Sequence, residues 1–372
     1  MHAVTQPMTV PFLDLTTQYK ELEAEWLAAI REIGARGSFI LGTHVRAFEQ
    51  EFDEYVGVKH AIGVANGTDS LFLSLKALGV GPGDEVITTP FTFFASAEAV
   101  SLAGATPVFA DILPGSFCLD PASVRRKITP KTRAILPVHL FGHPAEMGEI
   151  MEIASKHELA VVEDCAQAFG ATHDGKAVGA LGDAGSFSFY PAKVLGCYGD
   201  GGMITTHRDD LNEHIRRLRN HGAVKPFIHA EIGMNSRLDE IQAALLRIKL
   251  RSVQSDIAGR QRVAQEYTRR LAGSAVKCPA LPKNGAHVFN LYTVLAPKRD
   301  AVRRALTAAR IDTAQCYPQG LHLQPVYKHL GYRPGSLPVC EQTAAETLSL
   351  PIYPGMPIEH IERVCAALLG AV

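Results

Sequence analysis

The sequence predicts an α/β protein: a mostly parallel central sheet flanked by helices, then a smaller C-terminal α+β domain. Three observations lead there. At 372 residues the chain is too long for one ordinary core, so two domains are expected. From about residue 60 to 210, short apolar β-rich runs alternate with helical patterns, as in sheets whose crossovers are helices. After Lys277 prolines and irregular stretches become more frequent. The expected division is 1–249, a large domain with an N-terminal arm, and 250–372, a small one.

The first strand is Ala61-Ile62-Gly63-Val64, followed by an amphipathic helix with Leu71, Phe72, Leu75 and Leu78 on one face and Gly79 as its stop. Further strands are expected at 85–89, 106–110, 134–138, 160–163, 186–189 and 202–206. Most are too short and too uniformly apolar for a surface sheet, and suit burial on both faces. Leu238 to about Leu271 reads as one long helix, with Leu238, Ile241, Leu245 and Ile248 on a stripe and Ser236 and Asp239 as the start signal. Beyond it the pattern gives a strand over 288–295, a helix over 301–310, a loop over 321–325 and a final helix over 358–369.

Hydrophobic residues make up 47% and charged residues 20%, the balance of a soluble globular protein. A net charge of −1 gives no electrostatic reason to expect nucleic acid or a membrane surface as partner. The basic cluster Arg216-Arg217-Leu218-Arg219 reads as a solvated helix face. Seven scattered cysteines without CxxC spacing fit free thiols in a reducing compartment, with no disulfide frame and no metal site. No apolar run is long enough to span a bilayer and no leader is visible, so a cytoplasmic location is expected.

The chemistry sits at the strand ends, where ligands bind in open α/β sheets. Lys193 follows the run Ser186 to Tyr190 and precedes the glycine-studded Gly199-Asp200-Gly201-Gly202. Asp164 ends another apolar run. A lysine and an acid so placed suit pyridoxal 5′-phosphate: the amine bonds to its aldehyde and the acid keeps its ring nitrogen protonated. Alone, Lys193 is a surface lysine and Asp164 a helix cap. Gln167 lies one turn beyond Asp164, within reach of a ring oxygen or of solvent. Asn66-Gly67-Thr68-Asp69 joins a strand to a helix and is either an anion cradle or an ordinary cap. Ser188 shares a strand face with Ser186 and Tyr190 and carries a hydroxyl suited to phosphate. Phe91, Phe93 and Phe94 offer rings for stacking, or for the core.

These segments, with Pro11 to Leu15, Ser38 to Gly42, Gly81 to Val86, Glu163 to Gln167, Asn235 to Ala244 and Leu348 to Pro351, resemble the DegT/DnrJ/StrS family of sugar aminotransferases almost end to end. The resemblance implies the aspartate aminotransferase architecture (fold type I of the pyridoxal phosphate enzymes). It implies Lys193 as the covalent cofactor anchor and proton shuttle, Asp164 as the ring-nitrogen partner and Gln167 as ligand of the ring hydroxyl. Gly67, Thr68 and Ser188 become phosphate ligands, and Phe93 the stacking residue. Asn235 becomes a ligand of the neighbouring subunit's phosphate, which makes the enzyme a homodimer with shared sites. Arg237 matches a nucleotide-sugar contact, alternatively a solvent-facing arginine.

The implied reaction is ping-pong transamination from glutamate, released as 2-oxoglutarate, to a nucleotide-linked keto-sugar. The version of Asn235 to Asp239 is similar to that of enzymes acting at C3; those acting at C4 more often carry tyrosine at Ser236 and methionine at Leu238. Relatives acting on a UDP-linked 3-keto N-acetylhexuronic acid often have histidine before the Tyr-Pro pair, where this chain has Cys316 before Tyr317. Tyr317 and His322, the latter as a stand-in base or else a surface histidine, complete the expected substrate contacts. Two further readings are a sugar dehydratase of the same family, which Lys193 opposes because those enzymes use histidine there, and a regulatory protein without turnover.

Overall fold

A computed structural model describes residues 9–372. Its centre is a seven-stranded sheet. In chain order the strands are β1 (His60–Val64), β2 (Glu85–Thr88), β3 (Thr106–Phe109), β4 (Thr132–Leu136), β5 (Ala160–Asp164), β6 (Ala184–Ser188) and β7 (Gly202–Thr206). Their spatial order is β1-β7-β6-β5-β4-β2-β3. β7 runs antiparallel to β1 and β6, and the other pairs are parallel. The uniformly apolar strands are thus explained: Val86, Ile87, Ile135, Leu136, Val161 and Val162 are all fully buried.

Helices cover both faces. Gly67–Ala77, Ala95–Leu102 and Met147–His157 are crossovers between strands. One core gathers Val100, Ile150 and Ile153 against β2, β4 and β5; another sets Phe48, Phe52 and Leu245 against Phe187 and Phe189. Arg216 and Arg219 are not a solvated face. They turn inward to Glu49, at 2.9 and 2.7 Å, and Arg219 also donates to the Gly63 carbonyl.

The long helix expected over 238–271 is two, Glu240–Leu250 and Val253–Leu271. Ser252 causes the break: its hydroxyl and its N–H both donate to the Lys249 carbonyl, at 3.2 and 3.1 Å, and so compete with the helical ladder. The start also shifts, because the Ser236 hydroxyl accepts from the Ala65 N–H at 3.1 Å instead of capping its own helix.

Further on, pairing is confined to Tyr292–Leu295 with Thr347–Leu350, since Phe289 adopts a left-handed turn (φ 49°). The loop expected at 321–325 is wound into short 3₁₀ turns, Leu321–Leu323 and Pro325–Leu330. A C-terminal core joins Val263, Tyr267, Tyr292, Val302 and Leu368 with Val10. Leu321, Tyr327, Leu337 and Cys340 instead pack into the core of the central sheet.

Candidate active site

Asp164 closes β5 and is nearly fully buried. Its Oδ1 accepts from the Ala166 N–H at 3.1 Å and its Oδ2 from the Ser96 hydroxyl at 2.7 Å. Burial raises its pKa; Ser96, Ala166 and the Lys193 amine pull it back.

Lys193 occupies the turn beyond β6, its N–H bonded to the Tyr190 carbonyl at 2.9 Å. Burial of its amine lowers the pKa to about 8, against the opposing pull of Asp164 and Cys316. The loop that follows is pinned from below. The buried Lys249 ammonium donates to the Gly196 carbonyl and lies 5.4 Å from the centre of the Tyr198 ring. The Gln242 amide holds Tyr198 at both ends, accepting from its N–H and donating to its carbonyl, each at 3.0 Å.

Across the cavity the helix Gly67–Ala77 begins, its Asn66 cap accepting from the Asp69 N–H at 2.8 Å. Its first-turn N–H groups form an anion-binding end. Gly67 is needed for closeness: a Cβ there would stand 2.7 Å from the Ser188 Cβ. Ser70 and Ser186 are bonded to each other through their hydroxyls beneath this contact.

One cavity of about 720 Å³ joins these parts. Of the residues the sequence singled out, Gly67, Thr68, Phe93, Asp164, Gln167, Ser188, Lys193 and Tyr317 all line it. Phe93 is 61% exposed, a ring left open on the cavity wall, whereas Phe91 is fully buried core. The sequence reading missed Thr92 and Ser96, which lie one helical turn apart, 3.0 Å between hydroxyls, and extend Asp164's hydrogen bonding. It also missed Asp200 and Tyr190 on the wall.

Three expected residues lie off this wall. Asn235 is exposed, with its backbone bridged to Asn220. Arg237 donates to the Asn220 side chain at 3.0 Å. His322 is neither a surface histidine nor a cavity base. It is buried, with Nε2 3.1 Å from Glu341 and its ring against Tyr332, because the Leu321 N–H bonds to the Pro90 carbonyl and draws this segment into the core.

Behind Asp164, Glu163 and His139 form a second buried pair at 3.0 Å. The Glu163 carboxylate also accepts from the N–H groups of Gly179, Leu181 and Gly182, so its oxygens are spent on holding the 179–182 turn. Cys165 completes a group of ligand atoms within 4.8 Å, but Glu163's existing bonds make it structural.

A half-buried amine and a buried carboxyl facing one cavity, beside an open aromatic ring and a helix N-terminus, are the arrangement of a pyridoxal phosphate enzyme. Comparison gives the family: residues 20–369 match the DegT/DnrJ/EryC1/StrS aminotransferases, and the chain belongs to that family. It is 47% identical over 360 residues to the "pleiotropic regulatory protein" of Geobacillus stearothermophilus, covering 96% of this chain and 97% of that one. It is 44% identical over 365 residues to the UDP-N-acetyl-3-dehydro-alpha-D-glucosamine 3-aminotransferase of Acidithiobacillus ferrooxidans, covering 98% of both. Among solved structures it resembles S. venezuelae DesV in complex with a ketimine intermediate, with TM-score 0.96, 45% identity and 98% of both chains covered. The protein is an aminotransferase of fold type I, and its cofactor is pyridoxal phosphate. Its residues fit that group: a phosphate suits the Gly67–Ser188 cradle, and a basic ring nitrogen suits the doubly hydrogen-bonded Asp164.

Proposed function

We propose that the protein transfers an amino group from glutamate to C3 of a keto-sugar carried on a nucleoside diphosphate, producing an amino-sugar nucleotide for surface polysaccharides or glycosylated metabolites. The observation that carries this reading is the shared cavity of Lys193 and Asp164 in a chain similar to a nucleotide-sugar 3-aminotransferase. Other relatives point the same way: a UDP-2-acetamido-2-deoxy-3-oxo-D-glucuronate aminotransferase of Pseudomonas aeruginosa is 42% identical.

Pyridoxal phosphate, when bound, supplies an electron-withdrawing ring and an aldehyde that carries the amino group between the two half-reactions. Gly67, Thr68 and Ser188 would hold its phosphate, Phe93 its ring face, Gln167 its ring oxygen and Asp164 its ring nitrogen. Asp164 would keep a proton on that nitrogen. The Lys193 Nζ, its pKa lowered to about 8 by burial, would take a proton from one substrate carbon and return it at another atom of the same site.

The reading includes a homodimer in which Asn235 completes the partner's phosphate site. In its support, Phe227 and Ile232, a few residues before Asn235 in the chain, are 94% and 83% exposed, apolar surface of the kind a second subunit covers. Arg237 would then face the nucleotide-sugar. A cytoplasmic location suits the free cysteines, and no described helix is long and apolar enough to cross a membrane.

The test is spectroscopic. Glutamate should bleach the visible band of the loaded protein, and a UDP-, dTDP- or GDP-linked 3-keto sugar should restore it faster than its 4-keto counterpart. The similarity to a regulatory protein supports a second reading, binding without turnover. A band that no amino acid bleaches would favour that reading and overturn the first.

A further inference from the structure

Tyr317 is one of the residues the sequence assigned to the substrate, and its surroundings point elsewhere. The Phe141 N–H donates to the Gln167 Oε1 at 2.7 Å. That bond fixes the amide orientation: oxygen toward the backbone, NH₂ toward the cavity. One Nε2 hydrogen goes to the Tyr317 hydroxyl at 3.1 Å. Gln167 has no acceptor left on that side, so the tyrosine oxygen must accept and its own proton is free to be donated. The ring is held by aromatic neighbours, Phe91 edge-on at 5.8 Å and Phe141 stacked at 6.4 Å. Burial keeps the phenol protonated, with the neighbouring Cys316 and Asp164 acting in the same sense.

We propose that Gln167 and Tyr317 form a two-donor clamp for the ring oxygen of the cofactor, so that Tyr317 is a cofactor ligand and not a substrate contact. The chemistry matches. The ring oxygen is a phenolic anion when the cofactor is bonded to Lys193, and two neutral donors are what a buried oxyanion needs. One consequence is electronic. Each donor stabilises the anion and makes the proton shared between it and the Lys193 nitrogen easier to lose. A second is architectural. Tyr317 lies in the C-terminal third of the chain while Gln167 follows β5, so the clamp links two distant segments across the cofactor site.

The experiment compares the loaded wild-type protein with Tyr317→Phe, which deletes one oxygen, and Gln167→Glu, which keeps the size and removes the donor. With no sugar present, the pH midpoint of the visible band should rise in both variants, by about one unit for a lost charge-linked donor. Cofactor affinity, measured by titrating cofactor-free protein, should fall about tenfold. With substrate, the KM for the nucleotide-sugar should stay within about twofold while kcat falls. A sugar KM raised about tenfold with an unmoved midpoint would show a substrate contact and overturn the proposal. So would an unmoved midpoint with unchanged affinity in both variants. The two sugar-free measurements stand whichever sugar is the substrate, so the clamp and the C3 assignment can fail separately.

Discussion

The Ser96 hydroxyl donates to Asp164 Oδ2 at 2.7 Å and, 3.0 Å away, accepts from Thr92. The carboxylate proposed to face the cofactor nitrogen is therefore held from behind by a two-hydroxyl relay. Ser96→Ala leaves one lobe of a buried acid unpaired and raises its pKa further. We expect kcat to fall roughly 10- to 100-fold, the worth of one hydrogen bond to a charged group. Ser96→Thr should retain most activity. Steady-state kinetics with a pH profile, whose acid limb moves up in Ser96→Ala alone, checks this.

Burial pushes the pKa of the Lys193 amine down from its usual 10.5 to about 8. Only the neutral amine attacks an aldehyde, so cofactor capture by the cofactor-free protein should climb about tenfold per pH unit below 8 and level off above it. Stopped-flow absorbance measures the rate. A climb that continues to pH 10 would mean the amine is solvated.

Glu163 is buried, which alone would raise its pKa, yet His139 and the Gly179 and Gly182 N–H groups hold it below the usual 4.5. Its folded pKa lies below the unfolded one, so its contribution to stability is present above that value and is lost as pH falls through the folded pKa. Glu163→Gln should cost about 3 kcal/mol at neutral pH and flatten the acid limb of stability. Chemical denaturation at several pH values tests both parts.

Gly67→Ala places a methyl 2.7 Å from the Ser188 Cβ. Helix and strand must separate, at a cost of about 1–3 kcal/mol. Cofactor affinity should drop roughly 10- to 100-fold, more than global stability alone would explain. Titration of cofactor-free protein followed by thermal melts separates the two.

If Asn235 serves the partner's site, Asn235→Ala and Lys193→Ala proteins should each be inactive and recover when mixed. Half of randomly paired dimers are mixed and carry one intact site of two, so activity should reach about a quarter of wild type. Recovery after unfolding and refolding together, against none when the variants are assayed apart, is the expected result.

The largely parallel sheet was legible because burial on both faces keeps its strands mostly apolar, and the places of Asp164 and Lys193 because one closes such a strand and the other follows one. What escaped was set by contacts between distant residues. Ser236 looked like a helix cap, but the Ala65 N–H, 171 residues away in sequence, claims its hydroxyl. His322 looked like a loop histidine until Pro90 drew its segment inward. Ser96 gave one local hint, its spacing from Thr92, but nothing near it in the chain names Asp164 as its partner.

The backward course of β7 has a mechanical consequence. A parallel neighbour would require a crossover helix between β6 and the next strand; reversal lets the chain come straight back, so the amine rides on a short tether stitched at both ends. The Phe189 N–H bonds to the Gly201 carbonyl and so ties the two ends to each other, and Gly202 packs so tightly on the Asn66 carbonyl that no side chain fits there. Lengthening that tether by even one residue would move the amine relative to the phosphate cradle, whereas insertions in the far crossovers would leave the two in place.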